Sequence, residues 1–224
     1  FNRVHFKDES VTFNKRRAHE LFREIEKAGL GLSYKAKSRI EQLDEPLIRQ
    51  MMAAGVDTIH SGIESVVQNT LDRIGKGTIT RGSIRSTFDL MQEVGATFNP
   101  VYLFGSPGET PYDLEANADF IREVGQNPNV MTYISFMTPH PGTSIQRDSE
   151  LEIVSNDFSR YTHKQPVAVP RSLGEDGLRL MVDTYHEVTE DIGMQRFNPR
   201  IDPSYLRQVL KVEFSSKDKQ GEAA

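Results

Sequence analysis

One unit recurs along most of the chain: an amphipathic helix, a glycine, then a short apolar run. Asn14 stands at an N-cap position, and Ala18, Leu21, Phe22 and Ile25 follow at helical spacing. Gly29 ends that helix as a C′ glycine, and Leu32 to Lys37 reads as a strand. Asp44 caps the next helix, with Leu47, Ile48, Met51 and Met52 on one face; Gly55 closes it before a strand at Thr58 to Ile63. Ile84, Thr87, Phe88, Met91 and Val94 mark a third helix, closed by Gly95 and followed by Phe98 to Phe104. Thr110-Pro111 pairs an N-cap with proline at the first helical position. That helix continues through Leu114, Ala118, Ile121 and Val124 to Gly125, and Val130 to Met137 is the last strand. With Val4-His5-Phe6 at the start, the pattern predicts five strands and four helical connections, one holding an extra turn at Val66 to Ile74.

Strands spaced by roughly 25–45 residues with helices between them are βα units of a parallel sheet. Their crossovers are right-handed. The fold expected is an open, curved α/β sheet or partial barrel, short of the eight strands of a closed (β/α)8 barrel. Beyond about Ser149 the pattern changes. Ser155 to Pro170 reads as irregular. Leu178, Met181, Val182, Tyr185, Thr189 and Ile192 predict one amphipathic helix, and Ser204 to Val212 a second. The expected division is a partial barrel over residues 1–148, an irregular and helical extension over 149–213, and a disordered tail over 214–224.

Composition narrows the function classes. With 27 Lys+Arg against 32 Asp+Glu the chain carries a formal charge of −5, which argues against nucleic acid as a main ligand. No run of about 18 apolar residues is present, so no membrane partner is expected and a cytoplasmic setting is. The 224 residues include no cysteine, which excludes disulfides, thiolate metal ligands and cysteine nucleophiles among them. The six histidines are scattered, and only His186 and Glu190 share a helix face, at the spacing of a surface pair; no metal site is predicted. The chain opens almost inside a strand without a leader, and it is expected to have been cut from something longer.

In parallel α/β folds ligands bind at the carboxyl ends of the strands. Those ends carry Asp8-Glu9-Ser10, Ser38-Arg39, Ser61-Gly62-Ile63-Glu64-Ser65, Gly105-Ser106-Pro107-Gly108-Glu109-Thr110 and Thr138-Pro139-His140-Pro141-Gly142-Thr143. The opposite ends hold ordinary caps and turns. Two readings stand for several of these residues. Asp8 and Glu9 are either ligands for an ammonium group or metal, or plain loop acids. Arg39 pairs either with a substrate carboxylate or with Glu41 or Asp44. Glu64, beside Gly62, suits ribose hydroxyls or an amine. The Gly105–Thr110 segment lacks the Gly-Lys-Ser/Thr element of a phosphate loop and is at least a turn with a helix cap.

Taken in order, Phe6-Lys7-Asp8-Glu9-Ser10-Val11-Thr12-Phe13-Asn14, Ser38-Arg39, Gly62-Ile63-Glu64-Ser65, Arg73-Ile74-Gly75-Lys76-Gly77, Gly105 to Thr110 and Pro139-His140-Pro141-Gly142-Thr143 resemble the radical S-adenosylmethionine (SAM) superfamily. The resemblance is closest to members with a cobalamin-binding domain, including methylases and anaerobic cyclases. It implies a partial parallel (β/α)6-type barrel missing its first βα unit, with a helical C-terminal extension. It also implies an enzyme, an oxidoreductase or methyltransferase, that cleaves SAM reductively with a [4Fe–4S] cluster to a 5′-deoxyadenosyl radical acting on a small-molecule substrate, with cobalamin as a further cofactor. Asp8 and Glu9 would then lie by the methionine amino group, where the family often shows Gly-Gly-Glu, and Ser38 or Arg39 near the carboxylate. Glu64 would lie near the ribose or methionine, and Gly105 with the backbone of Phe136 to Thr138 beside adenine. The cysteine loop of that family is expected upstream of Phe1, leaving these residues inactive alone. The first strand would be a bare edge, open to self-association. A tRNA methylthiotransferase core and a non-catalytic scaffold barrel are the alternatives. The helical C-terminal segment and the acidic charge weigh against the first. Tyr161, Tyr185 and His163 are candidates to line a substrate pocket.

Overall fold

The computed structural model describes residues 2–194, 198 and 200–210. The expected tail at 214–224 lies outside them. Five strands form one parallel sheet: β1 (Arg3–His5), β2 (Ser33–Lys37), β3 (Val56–Glu64), β4 (Thr97–Phe104) and β5 (Tyr133–Phe136). Their spatial order is their chain order, and the sheet curls into a half barrel. The connections are α1 (Lys15–Ala28), α2 (Glu45–Ala53), the short α3 (Gln68–Arg73) with α4 (Arg81–Glu93), and α5 (Pro111–Gly125).

α1, α2, α4 and α5 begin at side-chain caps, those of α1, α2 and α5 being the ones the sequence predicts. The side chains of Asn14, Asp44, Thr80 and Thr110 accept from the backbone amides of Arg17, Leu47, Ser83 and Asp113. Such caps stabilise by about 1 kcal/mol each. The helices end less uniformly. Gly55 follows α2 with φ +90°, and a Cβ there would lie 2.7 Å from the Leu32 carbonyl, so both conformation and space require glycine. Gly125 is the last residue of α5, as the sequence predicts. Ile192 packs against it so closely that a Cβ would fall 2.6 Å from Ile192 Cγ2.

The core lies between the convex sheet face and the helices. Period-2 alternation sends Tyr34 and Ala36 of β2, Ile59 and Ile63 of β3, and Phe98, Tyr102 and Phe104 of β4 into it. Phe22 of α1 meets Phe6 edge-on at 6.2 Å, Phe6 stacks on Tyr34 at 5.7 Å, and Phe88 of α4 meets Phe98 at 4.9 Å. Burying each large side chain contributes about 1.5–3 kcal/mol. The opposite, concave face is left for polar residues.

The region after the barrel differs from the expectation at one place. Leu151–Ile153 and Ala168–Pro170, inside or beside the stretch read as irregular, are the antiparallel strands β6 and β7. Each has three residues, and Pro166 and Pro170 mask the alternation. Helices α6 (Gly177–Asp191) and α7 (Pro203–Leu210) follow, α6 packing on α5. No helix among the described residues is long and apolar enough to cross a membrane.

Candidate functional site

The rim is built where β3, β4 and β5 end. β3 ends on Glu64, the one non-glycine residue with positive φ (65°) among those described. A left-handed glutamate costs of order 1 kcal/mol or more and persists only where its surroundings hold it. Here the holder is Lys76, whose Nζ donates to the Gly62 carbonyl at 2.8 Å and to Glu64 Oε1 at 2.9 Å. The carboxylate folds back over Gly62 so tightly that a Cβ on Gly62 would overlap it. Glu64 Oε2 is left with no partner among the described residues. Lys76 lies in one of the matching motifs, but sequence reading gives it no role. Its contact depends on the chain reversing after α3.

Beneath the rim, a polar clamp joins the ends of β3 and β4. Glu109 is fully buried; its Oε2 accepts from the Gly105 amide at 2.7 Å and its Oε1 from Asn117 Nδ2 at 3.3 Å. Asn117 Oδ1 in turn accepts from Ser65 Oγ at 3.1 Å and the Val66 amide at 2.8 Å. Burial pushes the Glu109 carboxyl up to about 8, while the amides of Gly105 and Ser106 and the Asn117 side chain pull it down. Gly105 is thus placed by a carboxyl four residues on. Sequence reading included Glu109 in the turn but missed the clamp, because Asn117 sits one helical turn or more inside α5 and looks like a surface polar residue.

Beside this rim, Leu103, Phe136, Thr138, Tyr161 and His163 line an open cleft of about 520 Å³, within the size range of small-molecule sites. His163 Nε2 and the Tyr133 hydroxyl share a hydrogen bond at 3.0 Å, and the Phe136 amide donates to the His163 carbonyl at 2.9 Å. Tyr185, the third candidate, is buried behind Phe136 with ring centroids 5.1 Å apart. Phe136 and Thr138 are therefore in one cleft, and Gly105 packs against Met137, its would-be Cβ 3.7 Å from the Met137 Cβ.

The other candidates gather at the opposite end of the rim. Ser38 is buried, its Oγ 2.5 Å from Thr12 Oγ1, and Gln42 Oε1 accepts from both Thr12 and Ser10. This network ties the loop after β1 to the end of β2. Arg39 pairs with Glu41 at 2.5 Å. Asp8 is exposed, 3.7 Å from Arg17, and Glu9 is exposed. No group of three or more His, Asp or Glu among the described residues is placed to hold a metal ion. A thiolate-held iron–sulfur cluster does not fit these residues either, since the 224 include no cysteine.

The described residues form a half barrel with polar loops at the carboxyl ends of its strands. Its fold is that of the radical SAM enzymes. The radical SAM methyltransferase TsrM from Kitasatospora setae, solved with cobalamin and a [4Fe–4S] cluster, superposes with a TM-score of 0.60 at 17% identity, over 91% of this chain and 44% of that one. Coproporphyrinogen III oxidase from Escherichia coli, a radical SAM enzyme, gives 0.57 at 12% identity, over 93% and 41%. Among curated proteins, an uncharacterized methyltransferase of Pyrococcus horikoshii is 30% identical over 171 residues, 73% of this chain and 35% of that protein. Bacteriochlorophyllide d C-12(1)-methyltransferase of Chlorobaculum tepidum is 22% identical over 177 residues, 79% and 38%. The chain thus spans about a third of the length of these relatives. No family model matches it.

Proposed function

We propose that this chain is the SAM-binding part of the barrel of a radical SAM methyltransferase. The observation that carries the reading is Glu64, held in a strained conformation with one carboxylate oxygen committed to Lys76 and the other free. SAM presents ribose hydroxyls and an ammonium group, all donors, to such an acceptor. The apolar cleft at Phe136 and Thr138 suits the flat adenine, with backbone groups beyond β5 reading its edge. Asp8 and Glu9, exposed at the far end of the rim, are proposed to meet the ammonium group, and Ser38 and Arg39 the carboxylate. For Arg39 this requires exchange of Glu41 for the ligand.

The thiolates of a [4Fe–4S] cluster are proposed to come from outside these 224 residues, so no chemical step is assigned to them here. Cobalamin is proposed as a further cofactor, in keeping with its presence in the TsrM structure. The test uses the polypeptide that carries this chain in its natural gene. Anaerobic iron and sulfide reconstitution, then reductant and SAM, should give cluster absorption and 5′-deoxyadenosine or methylated product. A soluble, folded protein that takes up no cluster, or takes it up and turns over no SAM, overturns the proposal and favours a scaffold.

A further inference from the structure

The concave face of β1–β3 carries a cluster of cations, of which Lys7, Lys35 and Lys37 have no ion-pair partner among the described residues. Tyr34, Ala36 and Ile59 point into the helical core, so alternation sends Lys35, Lys37 and His60 out of the other face. The register sets His5 opposite Lys35, Lys37 opposite His60, and His60 opposite Asn99. Lys7 follows β1, with Nζ 3.5 Å from His5 Nδ1. Among the described residues no carboxylate is ion-paired with Lys7, Lys35 or Lys37, and the neighbouring Asp57 is held by Arg3 at 2.6 Å. Two buried atoms at this face, His60 Nδ1 and Asn99 Oδ1, have no hydrogen-bond partner, and Asn99 is only 9% exposed.

This arrangement works against folding. Burial first, then the charges of Lys35, Lys37 and His5, hold the His60 imidazole down to about 4. Lys35 is lowered by burial and by Arg3, Lys37 and Lys7, with Asp57 offsetting only part of this. Composition does not force it, because the chain as a whole carries a charge of −5. Lys35 and Lys37, two residues apart on one face of β2, repel each other, and a counter-charge relieves the repulsion.

We propose that this face binds the anionic part of a small-molecule ligand bearing at least two phosphate or carboxylate groups. Lys35 and Lys37 would supply charge, and His60 and Asn99 the directional hydrogen bonds. Three strands span two inter-strand spacings, about 10 Å, which fits a diphosphate or a polycarboxylate. A nucleic-acid backbone would need a longer basic track than the described residues of this face provide. Describing the ligand as the substrate rests on the SAM reading above; the anion site does not.

Calorimetric titration of the purified protein with inorganic pyrophosphate and with citrate, at low salt and with and without SAM, tests this. Saturable binding is expected, with one probe preferred, which separates phosphoryl from carboxylate recognition. The double variant K35Q/K37Q should weaken it about tenfold or more, whereas K27Q, on exposed α1, should not. In the unaltered protein, bound anion should raise the His60 imidazole pKa from about 4 toward its ordinary value of 6.5, read by NMR; this readout stands even if the double variant fails to fold. Absence of binding by both probes, an unmoved His60, or binding unchanged in a folded K35Q/K37Q overturns the inference. So does tighter binding of single-stranded RNA through the same lysines. Loss of SAM binding with anion binding intact would count against the proposed function alone.

Discussion

Replacing Glu109 by glutamine tests whether the clamp under the rim is neutral or charged. Glu109 has no exposed surface, and burial raises its carboxyl from an ordinary 4.5 to about 8. Between those values the folded protein keeps a proton that the unfolded chain releases, so raising the pH favours unfolding and stability falls. The slope is up to about 1.4 kcal/mol per pH unit and the whole loss, by pH 8, up to about 5 kcal/mol. Glutamine carries no charge and does not titrate; its oxygen can keep the Gly105 amide, but its NH2 then faces Asn117 Nδ2, itself a donor, so one hydrogen bond is lost at every pH. The stability of E109Q relative to the native protein should therefore start with the cost of that lost bond, about 1–3 kcal/mol, and rise by about 3–4 kcal/mol between pH 5 and pH 8. Urea unfolding followed by far-ultraviolet circular dichroism at each pH from 5 to 8 gives the difference directly. A difference that does not change with pH would mean that the carboxylate is ionised in the fold. The donors at Gly105, Ser106 and Asn117 would then outweigh burial, and the reasoning fails.

Other substitutions probe separate parts. N117A leaves Ser65, the Val66 amide and Glu109 without their partner and should cost about 3 kcal/mol in urea unfolding. Y102F removes a buried hydroxyl that has no partner among the described residues, and should be neutral or stabilising by about 1 kcal/mol in the same assay. E64N, which tolerates the left-handed backbone, should leave stability within about 1 kcal/mol while reducing SAM affinity in equilibrium dialysis. F22A should lose about 3–5 kcal/mol, because Phe22 has no exposed surface and packs on Phe6.

The strands and helices of the barrel are legible because each carries its own punctuation. Asn14, Asp44 and Thr110 are caps in both readings, and the five strands fall where the apolar runs predict. The β6–β7 pair is not legible, since three-residue strands beside prolines have too few alternations to register. The site divides the same way. Parallel topology alone places Glu64, Gly105 and Thr138 on one rim. Lys76, Asn117 and the free cations Lys35 and Lys37 emerge only with the register. Lys35 and Lys37 alternate with Tyr34 and Ala36, so a period-2 reading of that strand would have shown which face they share. That they converge with His60 and His5 depends on pairings between strands some 20–30 residues apart.

The consecutive order of the five strands has a consequence for how the chain is made. Each new strand docks beside the one synthesised just before it, so no strand waits for a later one to be inserted between existing neighbours. Every pairing closes a loop of one βα unit, and loop closure cost grows only slowly with length. The sheet can therefore extend strand by strand as the polypeptide leaves the ribosome, its concave face and rim growing from the β1 edge toward β5. The Glu109–Asn117 clamp closes only once α5 is in place, so the β3–β4 part of the rim sets after both of its strands have paired and before β5 can dock.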